Sequence, residues 1–367
     1  EHIIIQLLQA TAWPMETPVP YSPFHICLML SGISAAVLGA RAAARNSRNS
    51  RAEEKRKTAA FSDSLLFLCG LLLALSEVYK QLFLYEIVDG GRYDWWYFPF
   101  QLCSVPMYLC LILPFLSSPR CRSFRLAVYT FLQDFGLLGG VMALLEPSGL
   151  MHPYWTLTLH GFLWHFMLIF VGLYCALSGR AGTKIRDFFR IIPLFFICCA
   201  IATAVNVASH PYGNADMFYI SPYYPNGQIV FHQIALEIGV TAGNLVYLTG
   251  VLAGGFLVHL LCRQLSIRRI NRQAFISARL NCPGLVHIDM SGRRSDGSLI
   301  GLNADAITVT LVCVPPTRKC TLASGASQTA FIRSAASLQY SSSPYPAVCS
   351  MFVSSSLFKI AGWHPSV

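Results

Sequence analysis

Gln101 and Cys103 sit two residues apart inside Trp95 to Leu116, an apolar run that opens on Phe98-Pro99-Phe100. An amide and a thiol within about 20 residues of oil-like sequence cost free energy unless something offsets them, so both are candidate functional groups. A thiol is a nucleophile only as its thiolate, which requires a base close by. The helical rise puts Gln101 and Cys103 roughly 9–12 Å below the outer end of their run and His160 about 8 Å below the end of its own. His160 is therefore the base to expect at the level of Cys103. A packing role for the cysteine and a simple interhelical hydrogen bond for His160 are the bland alternatives.

A second layer of polar groups falls nearer mid-depth: Glu77, Lys80, Gln133, Asp134 and His165. Glu77 and Lys80 are three apart, a spacing that allows an ion pair on one helix. Asp134 has no cation within reach on its own helix, so it should pair across helices, where it could orient a histidine, or be protonated. His160 and His165 differ by about 140° around a helix, so only one of them can point squarely at a small site. Gln101 and Cys103 face nearly opposite ways on a regular helix, and bringing them together needs unwinding at Pro99, which lacks a backbone donor.

These groups need a membrane scaffold to hold them. Hydrophobic residues make up 54% of the 367-residue chain and charged residues 12%, against roughly 45–50% and 25% in soluble proteins. Apolar runs long enough to cross a bilayer recur, so the fold class is all-α, a polytopic membrane helix bundle of about seven transmembrane helices. The expected spans are 23–40, 61–87, 95–116, 126–145, 155–177, 191–208 and 229–261. The last is too long for one untilted helix, and its first part should lie at the interface. No transporter-like internal repeat is visible.

The formal charge of +10 could suggest a nucleic-acid partner. Its distribution labels topology instead. Arg41 to Lys57 carries seven basic residues; Arg120, Arg122 and Arg125 follow the third span; Arg180, Lys184, Arg186 and Arg190 follow the fifth; Arg263, Arg268, Arg269 and Arg272 follow the seventh. The loops on the other side hold Arg92 alone. This asymmetry places the N-terminus outside and the C-terminus in the cytoplasm of a multi-pass cell-membrane protein whose partners are membrane lipids. The expected organisation is an extracytoplasmic segment over 1–22, the bundle over 23–262 and a disordered cytoplasmic tail over 263–367. Residues 280–367 also read as text produced by reading-frame slippage, and the start at Glu1 suits a fragment. Of the thirteen cysteines most lie in apolar runs, and no metal-ligand spacing and no cofactor motif are present.

Pro99-x-Gln101-Leu102-Cys103, the span bearing His160, and Asn206 with Asn214-Ala215-Asp216-Met217-Phe218 through Ser221-Pro222 resemble the YwaF-like bacterial integral membrane proteins over residues 61–262. That family is similar to an animal transmembrane acyltransferase that moves polyunsaturated acyl chains onto ether phospholipids. The family pattern has histidine where this chain has Gln101. The resemblance implies acyl transfer: Cys103 attacks a lipid ester, His160 takes and returns the proton, and Gln101 or a freed amide stabilises the oxyanion. Asp134 is a further catalytic candidate as orienter of a histidine, and His165, Asn206 and Asn214 are candidate substrate-binding residues. The alternative is a small-solute or ion transporter or sensor using Glu77, Lys80, Asp134 and His165 as a binding or relay layer.

Overall fold

The computed structural model describes residues 2–53, 57–281, 306–312 and 348–354. Two units divide the chain, Glu1–Ile267 and Arg268–Val367. Among the described residues the first unit is built from helices: α1 (His2–Ala10), α2 (Pro23–Glu53), α3 (Lys57–Phe83), α4 (Val105–Ile112), α5 (Arg122–Leu145), α6 (Trp155–Ser178), α7 (Ile185–Phe189), α8 (Ile192–Ser209), α9 (Ile229–Ile238) and α10 (Val240–Asn281). Six segments are long and apolar enough to cross a membrane: Pro23–Arg48, Asp63–Val88, Pro119–Leu145, Trp155–Ser178, Ile185–Ser209 and Val240–Arg269.

The expected third span is a different object. Between Trp95 and Leu116 the chain makes a single 3₁₀ turn (Trp95–Tyr97), leaves helical geometry through residues 98–104, and then forms the eight-residue α4 continued by a 3₁₀ turn to Leu116. The prolines explain the break, since Pro99, Pro106 and Pro114 each remove a ladder donor. Backbone carbonyls released in an apolar setting must find other donors. They do: Gln81 Nε2 donates to Tyr97 O at 2.6 Å, Tyr108 Oη to Pro99 O at 2.7 Å and Trp164 Nε1 to Cys103 O at 3.1 Å.

The seventh run divides as its length demands. Gly239, with φ of 89°, separates α9 from α10, a backbone value that suits glycine. α6 ends on Gly179 in the left-handed region at φ 72°, and the amides of Gly179 and Arg180 bond back to the Ala176 and Cys175 carbonyls, a left-handed cap. Proline at the start of α8 suits a position whose N–H would have no helical partner.

Helix contacts depend on small residues, as expected where apolar lipid gives little drive for helices to associate. A Cβ at Gly140 of α5 would come within 3.1 Å of the His165 carbonyl on α6, and one at Gly172 of α6 within 3.0 Å of the Leu132 carbonyl on α5. Around this crossing Phe131, Phe135 and Phe195 are fully buried, Phe135 stacking on Phe195 at 17° and lying tilted against Phe131 at 47°.

Residues 1–22 hold more order than their mixed composition suggests. Leu8 of α1 packs with Phe83, Leu84 and Leu157, and Pro14 forms a bridge to Tyr154. At the other end, the expectation of disorder from 263 onward fails in part: α10 runs helically to Asn281. In the second unit, β1 (Ala306–Val312) and β2 (Val348–Ser354) pair antiparallel, Ala306 opposite Ser354 and Val312 opposite Val348. The rest of the expected tail lies outside the described residues.

Candidate functional site

Three polar networks of the first unit hold the residues singled out from the sequence. The first surrounds Glu77 on α3. Its Oε1 accepts from Gln81 Nε2 at 2.7 Å and pairs with Lys80 Nζ at 2.8 Å, the expected same-helix ion pair. Its Oε2 lies 4.0 Å from His160 Nε2 on α6. The His160 ring also packs 5.5 Å from that of Trp164 one turn on, and Trp164 holds the Cys103 carbonyl. Cys103 is half-buried and joins this network through that carbonyl bond, with Gly139 of α5 beside its Cβ.

His165 behaves as the helical angle requires. It is buried, and its Nδ1 lies 2.7 Å from the Gly161 carbonyl of its own helix, so it serves local structure.

The second network holds Asp134. It lies one to two turns before Gly139 on α5 and pairs with His259 of α10, Oδ2 to Nδ1 at 2.9 Å. Gln133 Nε2 donates to the other carboxylate oxygen at 2.8 Å, and His259 Nε2 lies 3.1 Å from the Lys184 carbonyl. Asp134 does pair across helices and does orient a histidine, but the partner is His259 rather than either imidazole of α6. The sequence reading missed His259, although the rule that picked out His160, an ionisable group inside an apolar run, applies to it equally.

The third network ties down the loop after α8. Gln101 Nε2 donates to Asp216 O at 2.9 Å, and Phe218 N donates to Gln101 Oε1 at 2.7 Å. Asn206 does the same one residue away, donating to Met217 O at 3.1 Å and accepting from Met217 N at 2.6 Å. Asn226 donates to Tyr219 O at 2.8 Å and Asn244 to Ser221 O at 2.9 Å. Burial pushes the Asp216 carboxyl up to about 6, a shift opposed in part by the Ser221 amide that donates to it at 2.7 Å. These bonds hold Phe218 and Tyr219 at φ of 59° and 54°. Left-handed backbone at such residues costs on the order of 1–3 kcal/mol each and persists where its surroundings over-determine it.

Unwinding at Pro99 therefore occurs, yet it does not bring Gln101 and Cys103 to one point. Both amide atoms of Gln101 bond to the loop after α8, which directs the side chain to that loop. Both amide atoms of Asn206 bond to the same loop, and Asn214 is exposed on it. Asn226 and Asn244 were not singled out from sequence, and as single polar residues in a loop and an apolar run they carried little signal. On the basic side, Asp63 accepts from Tyr129 and lies 3.7 Å from Arg125 and 3.8 Å from Arg180. Among the described residues no group of three or more His, Cys, Asp and Glu side chains is placed to hold a metal ion.

The sequence model of the TMEM164 family matches residues 20–248. The chain belongs to the TMEM164 family. It is accordingly a multi-pass membrane protein, and the match takes in α2 through the first part of α10, including all three networks except His259. No curated protein and no solved structure matches the chain. The TMEM164 match begins earlier than the stretch on which the YwaF-like resemblance rests and, like it, stops short of the second unit.

Proposed function

We propose that this TMEM164-family protein is a membrane-embedded lipid acyltransferase or transacylase that carries the acyl group on Cys103. The observation supporting this reading is that Trp164 links the two groups: its indole N–H donates to the Cys103 carbonyl at 3.1 Å and its ring packs 5.5 Å from that of His160, which lies 4.0 Å from Glu77. In the first half-reaction Cys103 Sγ bonds to the ester carbonyl carbon of a phospholipid. The thiol proton passes to His160 and then to the departing lysophospholipid oxygen as the ester C–O bond breaks. In the second, His160 takes a proton from an acceptor hydroxyl, whose oxygen attacks the thioester, and returns it to the sulfur. Nothing is oxidised or reduced, and the acyl chain moves from one lipid to another.

Glu77, 4.0 Å from His160, takes the orienting part expected of Asp134. The unwound backbone of residues 98–104 takes the part expected of Gln101, because it offers amide groups that a helix would have occupied. The charge asymmetry of the loops supports seven crossings with the N-terminus outside, the third crossing made by α4 and the irregular segment before it. The site then opens in the outer half of the bilayer of the cell membrane, away from cytoplasmic acyl-CoA, which favours a donor lipid already in the membrane. The transport alternative needs Glu77, Lys80, Asp134 and His165 in one layer, and they fall into separate networks on different partners.

The test uses membranes containing the full chain and a phospholipid bearing an alkyne-tagged acyl chain. The wild type should acquire a hydroxylamine-labile label that Cys103→Ala loses. Equal labelling of the two removes Cys103 from the chemistry.

A further inference from the structure

The outer loop after α8 reaches the thiol segment through Gln101. Two hydrogen bonds from one amide, at 2.9 and 2.7 Å, grip the Asp216 carbonyl and the Phe218 amide, on either side of Met217. The gripped turn is itself strained at Phe218 and Tyr219, and it is fixed independently by Asn206, Asn226 and Asn244. The Phe218 ring, 2% exposed, is placed between Phe100 of the thiol segment, 6.0 Å away at 27°, and Phe195 of α8, 6.3 Å away.

On the other side, Gln101 O accepts from Ser104 N at 2.8 Å, so Cys103 lies inside the turn that Gln101 begins. A segment without helical bonds has no ladder to fix the position of its side chains. Cys103 is held by its carbonyl bond to Trp164 on the side facing α6, and the Gln101 grip supplies a second anchor facing the loop.

We propose that Gln101 is a positioning residue that couples the strained outer turn to the unwound segment and thereby sets the place of the Cys103 thiol. The strained turn is then part of the site: its rigidity is passed to the sulfur through one side chain. The consequence for catalysis rests on the acyl-transfer reading above, while the positioning itself does not.

Gln101→Met keeps the side-chain volume and loses both bonds. In membranes holding the full chain, the alkylation rate of Cys103 by a small maleimide is followed by mass spectrometry, with the exposed Cys27 of α2 as internal reference. The variant should raise the Cys103 rate at least fivefold and leave the Cys27 rate unchanged. A Cys103 rate within twofold of wild type, or slower, overturns the proposal. Where Gln101→Met does not fold, Gln101→Glu, which keeps the acceptor for the Phe218 amide, carries the same comparison, with the same threshold for rejection. Acyl transfer is measured in parallel, and kcat should fall at least tenfold with KM within threefold. A wild type without acyl transfer defeats the proposed function and leaves the alkylation result to decide the positioning role.

Discussion

Asp134 Oδ2 lies 2.9 Å from His259 Nδ1, and both side chains are 0% exposed. The pair links α5 to α10 in the interior of the bundle, and the second imidazole nitrogen extends the link to the Lys184 carbonyl between α6 and α7. Breaking a buried pair by removing one partner typically costs about 3–5 kcal/mol, because the other is left without compensation, whereas replacing both with apolar groups is often near neutral. Asp134→Ala should therefore lower unfolding stability in detergent by about that amount, and Asp134→Leu with His259→Leu should recover most of it. A double variant as unstable as the sum of its single variants would show that the two side chains act separately.

Glu77 supports a different prediction, one of rate. If it orients His160, Glu77→Gln should reduce acyl-transfer turnover by roughly 100-fold, the scale of a lost acid–base contribution, with little change in KM. Glu77→Asp keeps the charge with a shorter reach and should restore part of the turnover. Steady-state kinetics on the reconstituted protein reads both. If the two variants lose turnover equally while remaining folded, the orienting role is wrong.

The turn after α8 carries a pH dependence with a definite sign. Asp216 is raised from 3.8 to about 6 in the folded protein, so the native state holds its proton more tightly than the unfolded chain does. The stability that protonated Asp216 contributes is complete below the unfolded value and is lost as pH rises through the window between these two values. Asp216→Asn keeps an acceptor for the Ser221 amide and cannot titrate. Its melting temperature relative to wild type should therefore rise between about pH 4 and about pH 7. A difference that stays flat over that range contradicts the assignment.

Much of the scaffold could be read from the chain. Length and hydropathy located six of the seven expected spans, because a run of apolar residues has few other places to go than a bilayer. The Glu77/Lys80 pair was readable because both partners sit on one helix three residues apart, a relation fixed by helical geometry alone. The need for Asp134 to find a partner on another helix was readable too, since no cation lay within reach on its own.

Which partner it found was a tertiary matter. His259 is 125 residues away, and only the packing of α10 against α5 selects it over His160 or His165. The expected third span follows the same logic: its composition is apolar throughout, yet three prolines and the donors brought by Gln81, Tyr108 and Trp164 make an irregular backbone satisfiable there. The sequence determined that Gln101 and Cys103 are polar groups embedded in apolar surroundings. That one grips the turn after α8 while the other's carbonyl is held by Trp164 was decided by the fold, because hydrogen-bond partners drawn from separate elements exist only once those elements have packed.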